Sequence, residues 1–104
     1  MVRHVVLWKL KDEVASDARR LEQTIAQIRK NSETLASSMP LVRGFSFYQS
    51  ITHGTDIYEL GTAMDFDSCE DIAEFRASPQ HQEPDAMAFC HAVRERKAVI
   101  DFEF

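Results

Sequence analysis

Cysteine is scarce in this chain. Cys69 and Cys90 are the only two, and they do not have CxxC spacing. That excludes a disulfide-framed secreted scaffold and a thiolate metal site, and both read as small hydrophobes in helical segments. Long apolar runs are also missing. The longest near the start, Val5 to Trp8, is too short for a signal segment or a membrane span. A cytoplasmic, reducing location is therefore expected. Positive charge is in deficit: the net charge is −5, and the densest basic group, Arg94, Arg96 and Lys97, has Glu95 inside it. An acidic chain repels phosphate backbones and anionic lipid, so neither nucleic acid nor membrane is an expected partner. GxSxG, phosphate-loop, dinucleotide and HExxH patterns do not occur, so no metal or organic cofactor is expected.

What is present is a globular composition, 44% hydrophobic and 28% charged over 104 residues. Folding such a chain buries roughly two-thirds of its extended surface, enough for one core. No linker or repeat divides it, so residues 1–104 read as a single domain.

Val2 to Leu10, VRHVVLWKL, reads as a strand with bulky apolar groups on both faces. His4, Val6, Trp8 and Leu10 form one face; Val5, Leu7 and Lys9 form the other. A strand with one wet face alternates more cleanly. Ser16, followed by Asp17, marks a helix start. Ala18, Leu21, Ile25, Ile28 and Leu35 then give an apolar stripe over five to six turns, ending before Pro40. Leu41 to Ile51 reads as a second strand, with Gly44 as a possible bulge. A short polar connection, His53 to Asp56, leads to a third strand, Ile57 to Phe66, as in an antiparallel hairpin. Ser68 with Asp71 opens a further helix. Ser78-Pro79 breaks it and opens another, and Pro84 offers a second restart. Lys97 to Phe104 closes the chain as a fourth strand, with Ala98, Ile100, Phe102 and Phe104 on one face.

The order is β-α-β-β-α-β, the α+β ferredoxin-like arrangement. Right-handed crossovers put both helical regions on one face of a four-stranded antiparallel sheet. The other face keeps apolar groups such as Val5 and Leu7. A bare face of that kind points to a twofold homodimer formed through it.

The opening MVRHVVLWKLKDEV, the segment FDSCEDIAEFRASPQHQE and the ending RKAVIDFEF resemble the stress-responsive dimeric α/β-barrel (Dabb) family. The resemblance rests on His4, Trp8, Lys9 and Lys11 together with Pro79 and His81. It implies a ferredoxin-like fold whose sheets close into a barrel on dimerisation. Within the family, the olivetolic acid cyclase branch folds a polyketide without metal or organic cofactor. Its catalytic histidine matches His81 and a second pocket histidine matches His4. Its catalytic tyrosine falls at Phe75, and another pocket tyrosine falls near Ile25 and Ala26, so neither phenol is kept.

His4 and His81 are accordingly the candidate catalytic pair. A histidine in an apolar cleft serves as a general base near neutrality, and His81 is expected in the first turn of a helix, whose dipole disfavours imidazolium. Trp8, Phe75, Tyr48 and Tyr58 are candidate ligand-binding residues. Either tyrosine would supply the hydroxyl missing at Phe75 if it faced the pocket. His53 and His91 read as solvated groups, and Glu13, Asp65 and Asp67 as residues flanking turns. Two functions fit. One is cofactor-free acid/base chemistry, or binding, on a small apolar or aromatic carbonyl compound held between helices and sheet. The other is a non-catalytic stress-response role through dimer or higher assembly.

Overall fold

In a computed structural model describing residues 1–104, the elements are β1 (Val2–Leu10), α1 (Asp12–Ala15), α2 (Ala18–Ser38), β2 (Gly44–Gln49), β3 (Leu60–Phe66), α3 (Cys69–Ala77), α4 (Pro84–Val93) and β4 (Arg94–Glu103). The antiparallel sheet runs β2-β3-β1-β4. Residues opposite one another in such pairs project to the same side. His4, Val6 and Trp8 therefore share a face with Met64 and Thr62 of β3 and with Asp101, Val99 and Lys97 of β4. That face meets the helices. Val5 and Leu7 share the other face with Gly61, Ala63, Ala98 and Ile100. No helix covers it, and Ile100 is 60% exposed there.

The core under the helices divides into two clusters. One joins Val2, Met64 and Phe66 to Ala36, Met39, Ile72 and Phe75. The other joins Trp8, Leu10 and Leu60 to Val14, Ile25, Ile28 and Val93. The stripe of α2 serves both, through Ile25 and Ile28 at one end and Ala36 at the other. Ala18, expected in that stripe, is exposed.

Several boundaries differ from the sequence reading. Ser16 does not cap α2. Val14 is fully buried, and folding it inward winds residues 12–15 into α1, which Ser16 terminates. The cap falls one residue later, where Asp17 accepts from the Arg20 amide at 3.0 Å. Strands β2 and β3 are shorter than expected, and residues 50–59 form the connection. Lys9 is the cause. It is buried with Glu59, and its Nζ donates to Glu59 Oε2 at 2.9 Å, to Ile57 O at 2.7 Å and to Gly54 O at 2.9 Å. This holds the loop over the end of β1 and takes its carbonyls away from a ladder. Gly44 starts β2 in unbroken register and makes no bulge. A Cβ there would lie 2.9 Å from Asp65 Oδ2, so glycine permits the close approach.

Ser68 caps α3 as expected, accepting from Asp71 N at 3.2 Å. Ser78 ends α3 and does not start a helix. One turn follows, and α4 begins at Pro84, with Glu83 accepting from Asp85 N and Ala86 N at 3.1 and 2.7 Å. The residue before a proline avoids helical geometry, so the helix cannot run through. Strand β4 starts at Arg94, earlier than expected, because β1 pairs with it up to Leu10. No helix is long and apolar enough to cross a membrane.

The buried Lys9–Glu59 pair gives a stability test. Glu59→Ala leaves the ammonium short of its anion and the Leu10 amide without its 2.6 Å acceptor. The expected loss is about 3–5 kcal/mol in urea unfolding, largely recovered by combining Lys9→Met with Glu59→Leu.

Candidate functional site

A cavity of about 520 Å³ lies at the seam between the two core clusters. His4, Val6, Trp8, Thr62 and Met64 of the sheet line it. Ile28 and Leu35 of α2, Phe75 of α3, and Met87, Phe89 and Cys90 of α4 line it from the helices. Its exposed inner surface is mostly apolar, as in small-molecule sites, and polar and charged side chains complete the wall.

His4 is 5% exposed on the central strand. Its Nδ1 lies 2.5 Å from Oδ1 of Asp101, the residue directly opposite on β4. A carboxylate only accepts, so Nδ1 carries the proton and Nε2 is the ring's basic atom. Nε2 makes no hydrogen bond to the protein and is not sealed off. The pair therefore has the orientation of a carboxylate–imidazole dyad: Asp101 fixes the tautomer and would balance a positive ring.

His81 stands in the turn after α3. Its amide donates to Ser78 Oγ at 3.2 Å, and that hydroxyl donates to Phe75 O at 2.6 Å. Its Nδ1 is buried without a partner. Burial holds its pKa below the usual histidine value, and the positive charges of Arg76 and Lys97, with a smaller contribution from His4, push the same way. These causes replace the expected helix dipole, since no helix starts at Ser78. Phe75 lies between the imidazoles, its ring centroid 5.0 Å from His81 and 6.5 Å from His4. It also packs against Phe66 at 5.3 Å. Phe75 is thus a core side chain that spaces the two histidines. Burial raises the Cys90 thiol pKa, so this cavity cysteine stays protonated.

The structure brings His4, Trp8, Phe75 and His81 together around one space. It does not bring either tyrosine there. Tyr48 lies opposite Gly61 on the open face and is 58% exposed. Tyr58 belongs to the long loop, where its hydroxyl accepts from Arg96 Nε at 3.3 Å. Neither supplies the hydroxyl absent at Phe75. His53 and His91 are exposed. No three His, Cys, Asp or Glu side chains converge where they could hold a metal ion.

Sequence reasoning missed Asp101, although a signal existed. With Ile100 and Phe102 assigned to one face, the acid between them had to point to the other, toward His4. It also missed the cations Lys30, Arg76, Arg94 and Lys97 on the cavity wall.

The family model described as Stress Responsive A/B Barrel Domain matches residues 2–104. Among solved structures, the chain is similar to a dimeric ferredoxin-like protein from Bacteroides fragilis. That match has 21% identity and a TM-score of 0.82, covering 99% of this chain and 95% of that one. It is also similar to an Arabidopsis thaliana protein, with 25% identity and a TM-score of 0.75, covering 100% of this chain and 95% of that one. A hydroxynitrile lyase from Passiflora edulis shares the fold at 19% identity and a TM-score of 0.72, covering 97% of this chain and 90% of that one. No curated protein matches the chain.

The lowered pKa of His81 has a measurable sign. Above about pH 6.5 the ring is neutral in folded and unfolded chains alike, and its contribution to stability is complete. Below that value the unfolded chain takes up a proton that the folded chain does not, and stability falls until the folded pKa is passed. Thermal melts on the acid side of neutrality should show this decline, and His81→Gln should flatten it. An NMR titration should place the His81 midpoint below the usual histidine value of about 6.5.

Proposed function

The chain belongs to the stress responsive A/B barrel domain family, and on that premise we propose that it is a homodimer whose cavity binds a small apolar or aromatic carbonyl compound and moves a proton on it. The His4–Asp101 pair carries this reading. A buried strand histidine oriented by a carboxylate, with its second nitrogen free, is arranged as a general base. His4 Nε2 would take a proton from the substrate, and Asp101 would offset the charge. His81, kept neutral by its surroundings, is suited to donate or accept one hydrogen bond at the substrate oxygen. Acid/base chemistry of this kind needs no group beyond these side chains. The shared fold with a hydroxynitrile lyase is in keeping with it.

The dimer reading rests on the open sheet face. Strands of six to ten residues in a sheet four strands wide span roughly 500 Å² of plane, toward the upper end of the largest patch a monomer leaves bare. Two of its cations, Arg3 and Lys9, are already paired with carboxylates within the chain. Arg3 holds Asp65 at 2.7 and 3.2 Å, Lys9 holds Glu59, and Arg96 donates to Tyr58 and Thr55. Covering the face with a second copy would leave the Arg3–Asp65 and Lys9–Glu59 pairs intact, which lowers the cost of burying it, and Arg96 would keep its neutral partners Tyr58 and Thr55. The similar protein from Bacteroides fragilis is dimeric.

Two experiments separate these parts. Screening carbonyl compounds against wild type should find ligands or turnover that His4→Ala and His81→Ala each reduce at least tenfold, with the dimer retained. For a proton-transfer role, Asp101→Asn should act mainly on kcat, by removing tautomer control. Unchanged ligand profiles in the histidine variants would leave assembly alone as the function. Independently, Ile100→Glu should shift the chain to monomer in size-exclusion chromatography with light scattering. A dimer that survives this change would locate the interface elsewhere.

A further inference from the structure

The charges around the cavity run against the rest of the molecule. The chain carries a net −5, yet the cavity wall has four cations, Lys30, Arg76, Arg94 and Lys97, against one acid, Glu83. Elsewhere, Arg3, Lys9, Arg29 and Arg43 each hold a carboxylate within 3.0 Å. None of the four cavity cations forms such a pair.

Local backbone geometry accounts for one of them. The register of β1 against β4 shifts between Lys9, which faces Arg96, and Leu10, which faces Arg94. Glu95 is the extra residue of a β-bulge. In unbroken register Glu95 would lie opposite Leu10 and point toward the helices. The bulge turns Arg94 inward in its place and sends Glu95 outward, where it is exposed and does not line the cavity. Bulges beside functional sites re-aim side chains in this way. Arg94 then rests over the Trp8 ring, 5.0 Å from its centroid, a contact that fixes the guanidinium at the wall. Lys97, opposite Trp8 on β4, projects to the same side. Partial desolvation of the otherwise exposed Lys97 is the main cause that lowers its pKa, and the positive charges of Arg94 and Arg76 push the same way.

Lys30, Arg76 and Lys97 are exposed and Arg94 is half-buried, so an anion that enters meets cations with no carboxylate partner of their own. We infer that the ligand of this cavity is a small apolar carboxylate, its head between Arg94 and Lys97 and its body against Trp8, Val6 and Phe75. The inference rests on the reading that the cavity takes a small carbonyl compound, and it names the charge that compound carries. A guanidinium and an ammonium on one wall suit a carboxylate, which accepts from both.

Phenylacetate and phenylacetamide have nearly the same shape and differ in charge. Calorimetric titration of the wild-type dimer, with emission from Trp8 (the chain's one tryptophan) as a second readout, should show the acid binding about tenfold or more tighter than the amide. Added salt should weaken the acid and leave the amide unaffected. In Arg94→Gln/Lys97→Gln, checked for intact dimer and melting temperature, the two should bind within about twofold of each other. Equal affinities in wild type would overturn the carboxylate while leaving the cavity reading in place. A preference for the acid that persists in the double variant would also overturn it, since the anion would then sit elsewhere. Binding of neither compound would count against the cavity reading and remove this inference with it.

Discussion

Strand β1 sits between β3 and β4 and must satisfy partners on both edges and both faces. Side chains alternate along a strand, so a one-residue slip would exchange its faces. His4, Trp8 and Leu10 would then point outward, and Val5, Leu7 and Lys9 would lie under the helices. Both faces are apolar, so hydrophobicity alone discriminates weakly between the two registers. The polar groups decide. Lys9 finds Glu59 and two loop carbonyls only when it points away from the helices, and His4 finds Asp101 only when it points toward them. Arg3 likewise meets Asp65 directly opposite it. In the slipped register each would be buried or exposed without its partner, at a cost of several kcal/mol for each buried charge.

The same strand separates two kinds of electrostatics. On the open side, Arg3 and Lys9 are neutralised inside the subunit by Asp65 and Glu59 before any partner arrives. On the helix side, one carboxylate is committed to His4 and the surrounding cations are left uncommitted. A face meant for another protein surface is best made neutral and apolar; a cavity meant for a polar small molecule keeps unspent donors. The contrast within one sheet is physical support for giving the two sides different tasks.

The four strands, the helical order and the phase of β1 were legible because each rests on local periodicity. A period of two places His4 and Trp8 together, and a period near four places Ile25 and Ile28 together, whatever the rest of the chain does. The Ser68 cap was legible for the same reason. The features that failed depend on distant partners. Asp101 meets His4 across 97 residues, and Glu59 meets Lys9 across 50. Nothing near Lys9 in sequence announces that it will be buried, so the hairpin loop it organises looked shorter. The inward turn of Arg94 follows from a bulge set by pairing with β1, and no pattern within RERK shows it. The directions of Tyr48 and Tyr58 follow from the β2–β3 register and the long loop, and these too were beyond local reasoning.

Strand β4 joins the two faces mechanically. It is an edge strand, bonded in the sheet to β1 alone. On one side it carries Asp101 and Lys97, and on the other Ile100 and Phe102. An edge strand with one neighbour is the part of a sheet that opens most easily. In the isolated chain, what aligns Asp101 with His4 is the β1 ladder and the Arg94–Trp8 contact. In the proposed dimer, packing on Ile100 and Phe102 would press β4 against β1 from outside and hold Asp101 in place without touching it. The dimer would then fix the strand that presents the carboxylate, and apolar residues on the open face would influence the alignment of Asp101 with His4 through the position of one backbone segment.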